Sequence, residues 1–446
     1  MSWHHGELLA HGVGGRGDLP VPFTLALLGA VTALVVSFVM LAWRWPQPRL
    51  RGATTGRPAP AWLADLLRSP EWLGAWQVVG LVAVAYTAYA AFAGPDISLN
   101  PTAGIVYVLF WVGTLAVLSA IAGPVWRRVN PLRTLQQRLW QLLRRDPHEG
   151  LLGRYPARLG YWPAALFLLC FVWLELIGPE RASTVTLRWW FGGYAVLQLI
   201  GAALLGSSWF THADGFEVLS SLFGRLSVLG RRDDGVVVLR HPLAGLDQMV
   251  LEPGLVATVS VMLGSTAYDG FSANLAWVNV QQSSSLPKTV TGTLGLLAVI
   301  GFVAATFVLA SWLCGVLGDD RLPHLARQFA PSLVPIAFGY VLAHYWSLLI
   351  LEGQRTVVKM SDPLGDGSNW FGTGTAGFVN DSLIRPAVLA PLQVLFVVTG
   401  HVLGIVLAHD RAVALFPHRH AVRGQLPMLA VMVVYTLGGL LLLFSS

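Results

Sequence analysis

Very few residues of this chain pair an ionisable side chain with a place in a long apolar run, and such residues are costly there unless they act. Four stand out: Glu175, Asp269, His344 and His401. Asp269 closes the string Ser265-Thr266-Ala267-Tyr268-Asp269-Gly270. His344 lies near the middle of one apolar run and His401 near the middle of the next. Imidazole is the commonest transition-metal ligand and a carboxylate adds a harder donor, so His344, His401 and Asp269 form a candidate set for a divalent metal ion. A bound metal lowers the pKa of its water and polarises a phosphoryl oxygen, which is the chemistry of metal-assisted hydrolysis. Glu175, Asp269 or His11, just ahead of the first apolar run, would serve as the base. Glu352, two turns beyond His344, would join from the same side.

The same residues admit two other readings. Sparse His, Asp and Glu inside apolar helices suit a proton- or metal-coupled transporter. His344 and His401 on consecutive antiparallel helices, within roughly 10 Å of each other in depth, are also the minimum for one haem b. Each residue has a plainer role to set beside these. An intramembrane His often serves as a helix–helix hydrogen-bond donor. Asp269 beside Gly270 suits a helix-end cap, and Glu175 can reach an interface. His409 and Asp410 read as a helix end with a cationic partner for its dipole.

The elements that carry these residues follow from composition. Of 446 residues, 54% are hydrophobic and 12% charged, against about 25% charged in a soluble domain. Ten stretches approach the roughly 20 apolar residues that a span requires: 21–43, 72–94, 104–122, 160–178, 189–210, 254–268, 290–317, 333–351, 387–408 and 426–444. The fold class expected is all-α, a single polytopic bundle of about ten spans in the plasma membrane. The sixth stretch is short and polar, and a broken helix is the alternative there. Arg16, Arg181, Arg188, Lys288, Arg355, Lys359 and Arg385 fall on one side, and the other 22 of the 29 Lys and Arg fall on the opposite side. The basic side is cytoplasmic, which puts both termini outside.

Two cytoplasmic stretches, 130–145 and 214–228, read as amphipathic interfacial helices. Asn130-Pro131 supplies an N-cap and a first-turn proline, and Leu135, Leu139, Leu142 and Leu143 share a face. Phe216, Leu219, Phe223 and Leu226 form the second stripe, and Asp234-Gly235 before three valines suggests a hairpin. Residues 352–386 form the longest outer connection, a length more often functional than idle. Cys170 and Cys314 lie in apolar runs and read as small buried hydrophobes. The first apolar run is too long for a cleavable leader. No basic patch interleaved with aromatics speaks for nucleic acid. Lipid, a hydrophobic small-molecule substrate and a second membrane subunit are the partners expected.

Several strings resemble a known family. They are Ala10-His11-Gly12 with Arg16-Gly17-Asp18-Leu19-Pro20-Val21-Pro22, Gly123-Pro124-Val125-Trp126-Arg127, Asn130-Pro131-Leu132-Arg133-Thr134, and Leu263 through Phe271 around Asp269. Ala343-His344-Tyr345, Ser361-Asp362-Pro363-Leu364-Gly365, Gly400-His401-Val402 and Ala408-His409-Asp410-Arg411 complete the set. Together, over nearly the whole chain, they resemble the multi-spanning actinobacterial membrane proteins labelled fenitrothion hydrolase. The resemblance implies hydrolysis of an organophosphate triester within a membrane bundle. It carries no catalytic set of its own, and it draws attention to His11, Asp269, His344, His401 and the 361–365 segment.

Overall fold

A computed structural model describes residues 15–317, 324–374 and 377–444. His11 lies outside them. The chain is an all-α bundle with one small sheet. Its principal helices are α1 (Phe23–Arg44), α2 (Pro70–Ala93), α3 (Thr102–Ala122), α4 (Pro131–Leu142), α5 (Trp162–Leu176) and α6 (Thr184–Leu205). They continue with α7 (Gly215–Gly224), α8 (Leu255–Ser272), α9 (Lys288–Leu317), α10 (Leu333–Met360), α11 (Pro386–Leu415) and α12 (Leu426–Leu443).

Among the described residues, seven helical stretches are long and apolar enough to cross a membrane. They hold α1, α2, α3, α9, α10, α11 and α12. Their outer faces carry bare Val36, Val39, Val82, Phe92, Phe302 and Leu309, an arrangement that only lipid makes favourable. This is a multi-pass membrane protein. Helices α5, α6 and α8 correspond to the other three apolar stretches of the sequence, and α5 is a shorter apolar helix of 15 residues.

Helix α8 is continuous over 18 residues and 13 of them are buried. Its weak hydropathy has a simple cause. The helix touches its neighbours instead of lipid, so Thr258, Ser260, Ser265, Thr266 and Asp269 are tolerated on it. It packs against α5, α9, α10 and α12. Helix α3 is wound as a π-helix over Ile105–Leu118, with Thr114 Oγ1 donating to Leu109 O at 2.9 Å and Ser119 Oγ to Thr114 O at 2.9 Å. Such winding is rare beyond a single turn and tends to occur near functional sites.

Helices α10 and α11 meet backbone to backbone. A Cβ on Gly339 would stand 2.5 Å from Phe396 O, and one on Gly400 would stand 2.6 Å from Pro335 O. Small residues at a helix crossing permit this approach where no hydrophobic force drives association.

Helix α4 starts where the sequence places it, with Asn130 Oδ1 accepting from Leu132 N at 3.0 Å and Arg133 N at 3.3 Å. Its Leu135, Leu139 and Leu142 are exposed while Arg133, Gln136 and Trp140 are buried.

Helix α7 departs from a helix lying on a surface. Nine of its ten residues are buried, on every side. Phe216 packs against Phe110, Phe167 and Phe171, each with ring centroids 5.0 Å away. Its polar side chains find partners within the protein, so its second face is covered too. Asp214 Oδ2 accepts from Trp126 Nε1, Asn130 Nδ2 and Tyr194 OH, each at 3.1 Å. Ser220 Oγ bonds Ser119 Oγ at 2.8 Å and accepts from Trp126 N at 3.0 Å. Arg133 donates Nε to Glu217 Oε2 at 3.0 Å and Nη2 to Glu217 Oε1 at 2.6 Å.

The expected hairpin exists. Strands β2 (Leu229–Arg231) and β3 (Val237–Leu239) are antiparallel, and β1 (Arg57–Pro58) joins the far side of β3. The connection expected over 352–386 begins later. Helix α10 runs through Met360, so residues 352–360 are helical and the connection starts at Ser361.

Candidate functional site

Asp269 lies near the end of α8, and α10 passes beside it. His344 Nε2 is 3.0 Å from Asp269 Oδ2, and Tyr345 OH donates to the same oxygen at 2.8 Å. All three residues are at most 6% exposed, so the pair is held away from bulk solvent. Electrostatic and hydrogen-bond interactions strengthen in such surroundings. The His344 ring stands edge-on to Tyr345, with centroids 4.7 Å apart. Tyr340, one turn earlier on α10, stacks on the other side of it at 6.2 Å. Glu175, near the end of α5, is buried and lies within electrostatic range of Asp269 and Arg181. Two carboxyl groups, one imidazole and two phenols thus share one region of the bundle.

Below this group is a narrow cavity between α3, α5, α7, α8 and α10, lined by Trp111, Leu168, Phe223, Ser265, Thr266 and Tyr345. Its free volume of about 20 Å³ accommodates roughly one water molecule. The π-wound part of α3 supplies Trp111 and Val112 to its wall.

The sequence paired Asp269 with His344, and the structure brings them together. Glu175 joins them at a distance. His401 does not. The α10–α11 crossing aligns Gly400 with residues 335–339 and Gln393 with Ala343. That register puts His401 eight or nine residues, about 12 Å along the axis, from the level of His344. The candidate metal set of His344, His401 and Asp269 is therefore not assembled, nor do the two imidazoles face one iron. Among the described residues, no group of three or more His, Cys, Asp or Glu has the geometry to hold a metal ion.

His401 has surroundings of its own. Its Nδ1 is 2.9 Å from Val397 O, and its buried Nε2 has no hydrogen-bond partner among the described residues. Glu352 Oε1 accepts from Arg355 Nη1 at 2.6 Å and does not join the site. His409 and Asp410 are not at a helix end, because α11 continues to Leu415. They fasten the exit of α1. His409 bonds Gln425 Oε1 and Trp45 O, each at 2.9 Å, while Asp410 Oδ1 accepts from Trp45 Nε1 at 2.8 Å and Arg49 N at 2.6 Å.

Tyr345 and Tyr340 were not among the candidates from sequence. A tyrosine stays neutral near pH 7, so a search for ionised groups passes over it. The signal was the adjacency of Tyr345 to His344 and the four-residue spacing from Tyr340 to His344, which puts both on one face. The chain matches no protein-family model, no curated protein and no solved structure.

Proposed function

We propose that the chain is a plasma-membrane carrier of ten spans, with both termini outside, that binds a proton at the Asp269–His344–Tyr345 group and couples it to movement of a solute. The observation that carries this reading is the position of Asp269. Its carboxylate is enclosed among helices, bonded by an imidazole and a phenol, with a second carboxylate in electrostatic range. Intramembrane carboxylates and histidines in contact are typical of proton relays. The cavity beside them suits water-sized cargo and leaves no room for a bulky ester in this conformation.

The test needs no known substrate. Purified protein is reconstituted in liposomes on a capacitive sensor, and the external pH is stepped. Wild type should give a transient charge movement, and Asp269→Asn should lose it. Wild-type currents no larger than those of protein-free liposomes would sink the reading.

A second reading has its own support. His344 beside Asp269 is the arrangement of a base oriented by a carboxylate, and the resemblance in sequence points to phosphotriester hydrolysis; the metal assistance first expected for it would need ligands beyond Asp269 and His344. Release of nitrophenolate from a chromogenic phosphotriester, together with near-stoichiometric metal, both lost in His344→Ala, would install it in place of the carrier.

A further inference from the structure

Three buried polar atoms near His344 have no hydrogen-bond partner among the described residues: Tyr340 Oη and Ser347 Oγ on α10, and Gln393 Oε1 on α11. Their residues are 1–2% exposed. Leaving such a group unpaired costs about 1–3 kcal/mol, and native interiors meet that need with ordered water.

Their placement is not scattered. Tyr340, His344 and Ser347 stand at i, i+4 and i+7, one stripe of α10. A helical serine ordinarily donates to the carbonyl one turn back. For Ser347 that is Ala343 O, which already accepts from Gln393 Nε2 at 2.9 Å. The Gln393 amide is thus anchored one turn before Ser347 with its Oε1 unused, and Ser347 Oγ has no partner among the described residues. At the other end of the stripe, Tyr340 Oη faces Gly270, where a Cβ would come within 3.3 Å of it. The absence of a side chain at 270 keeps that oxygen open beside Asp269. From Tyr340 to Ser347 the stripe covers about 10 Å along the axis, the length of a short file of waters. Its far end points toward the 361–385 connection.

We infer that Ser347, Gln393 and Tyr340 hold a file of water molecules along the face of α10 that bears His344, and that it carries protons between the Ser347 end of that face and Asp269. The inference rests on the carrier reading for its direction of use, but not for the water itself. Each donor and acceptor has a place. Ser347 and Gln393 anchor the outer water, His344 lies midway, and the Tyr340 hydroxyl ends the file next to the carboxylate.

Radiolytic hydroxyl-radical footprinting of the full-length protein in detergent reads bound water directly, because a buried side chain is oxidised only where water adjoins it. Tyr194, equally enclosed but bonded to Asp214, is the internal control. Tyr340 should oxidise about tenfold faster than Tyr194. The double variant Ser347→Ala/Gln393→Leu should bring the two rates together while leaving Tyr194 unchanged. Equal rates in the wild type would overturn the water file. In the pH-step assay the double variant should slow charge movement without abolishing it. Fast labelling without any current would leave the water file standing and remove the proton-carrier reading. Current without labelling would do the reverse.

Discussion

Arg133 and Glu217 offer a quantitative test of how α7 is held inside the bundle. Glu217 is 0% exposed and Arg133 7%. The guanidinium makes two hydrogen bonds to the carboxylate, at 2.6 and 3.0 Å, and a third to Thr211 Oγ1 at 3.0 Å. It also lies over the Phe210 ring at 5.2 Å. Removing one partner of such a pair strands a charge in a site that cannot hydrate it, at about 3–5 kcal/mol. Arg133→Met keeps most of the side-chain volume, so that figure applies with little cavity cost. Glu217→Leu strands the arginine instead and costs a similar amount, offset where Arg133 retains Thr211. With both replaced, no charge remains to hydrate, and the pair should lie within about 1–2 kcal/mol of wild type. Thermal unfolding in detergent, read by circular dichroism, should show a large drop for each single variant and recovery in the double. The coupling energy from the cycle should exceed about 2 kcal/mol. Single-variant losses that simply add would refute the argument, because they would mean that the two groups act through packing and not through charge.

Other outcomes follow from the same structure. Gly400→Ala sets a methyl against Pro335 O and should cost about 1–3 kcal/mol by overpacking, measured by the same unfolding assay. Asp362 closes the start of the connection after α10 by accepting from Asp366 N at 3.0 Å, Gly367 N at 2.9 Å and Ser368 Oγ at 3.1 Å, so Asp362→Ala should make residues 361–374 cleavable by thermolysin. Burial pushes the Asp362 carboxyl up, but hydrogen bonds from Gly367, Asp366 and Ser368 outweigh it and hold the group below 3.8. The order it gives is complete above that value and is lost as pH falls through the lower folded value; an acid protease should cut wild type at 361–374 as readily as Asp362→Ala only at the acid end of its range, with the ratio of the two rates at each pH as the readout. A reporter fused after residue 150 should read cytoplasmic and one after residue 370 external, and the reverse would overturn the orientation.

Much of the bundle was legible because lipid imposes a simple pattern of long apolar runs. What the pattern missed lies where protein replaces lipid. Helix α7 looked amphipathic because its polar partners Trp126, Asn130 and Arg133 are some 80 residues upstream, and only tertiary structure shows that they cover its second face. The Asp269–His344 pair was legible because ionisable groups in apolar runs are so few. The exclusion of His401 was not, because register between α10 and α11 is set by Gly339 and Gly400, residues without side chains to mark the contact. The connection expected over 352–386 was drawn too long at its start because Gln354, Arg355 and Lys359 look like loop residues, although they continue α10 by a further two turns.

The glycine contact between α10 and α11 also bears on motion. Two helices joined backbone to backbone have no side-chain layer in which to slide, so they shift as one rigid body. Asp269 belongs to α8, on the other side of that body's boundary, whereas His344 and Tyr345 ride on α10. Any rocking of the α10–α11 unit against α8 must stretch the two hydrogen bonds to Asp269 together. On the carrier reading, the carboxylate is then a latch between the two parts that move. Its charge state sets how firmly they are fastened, and their separation sets how readily it takes up a proton.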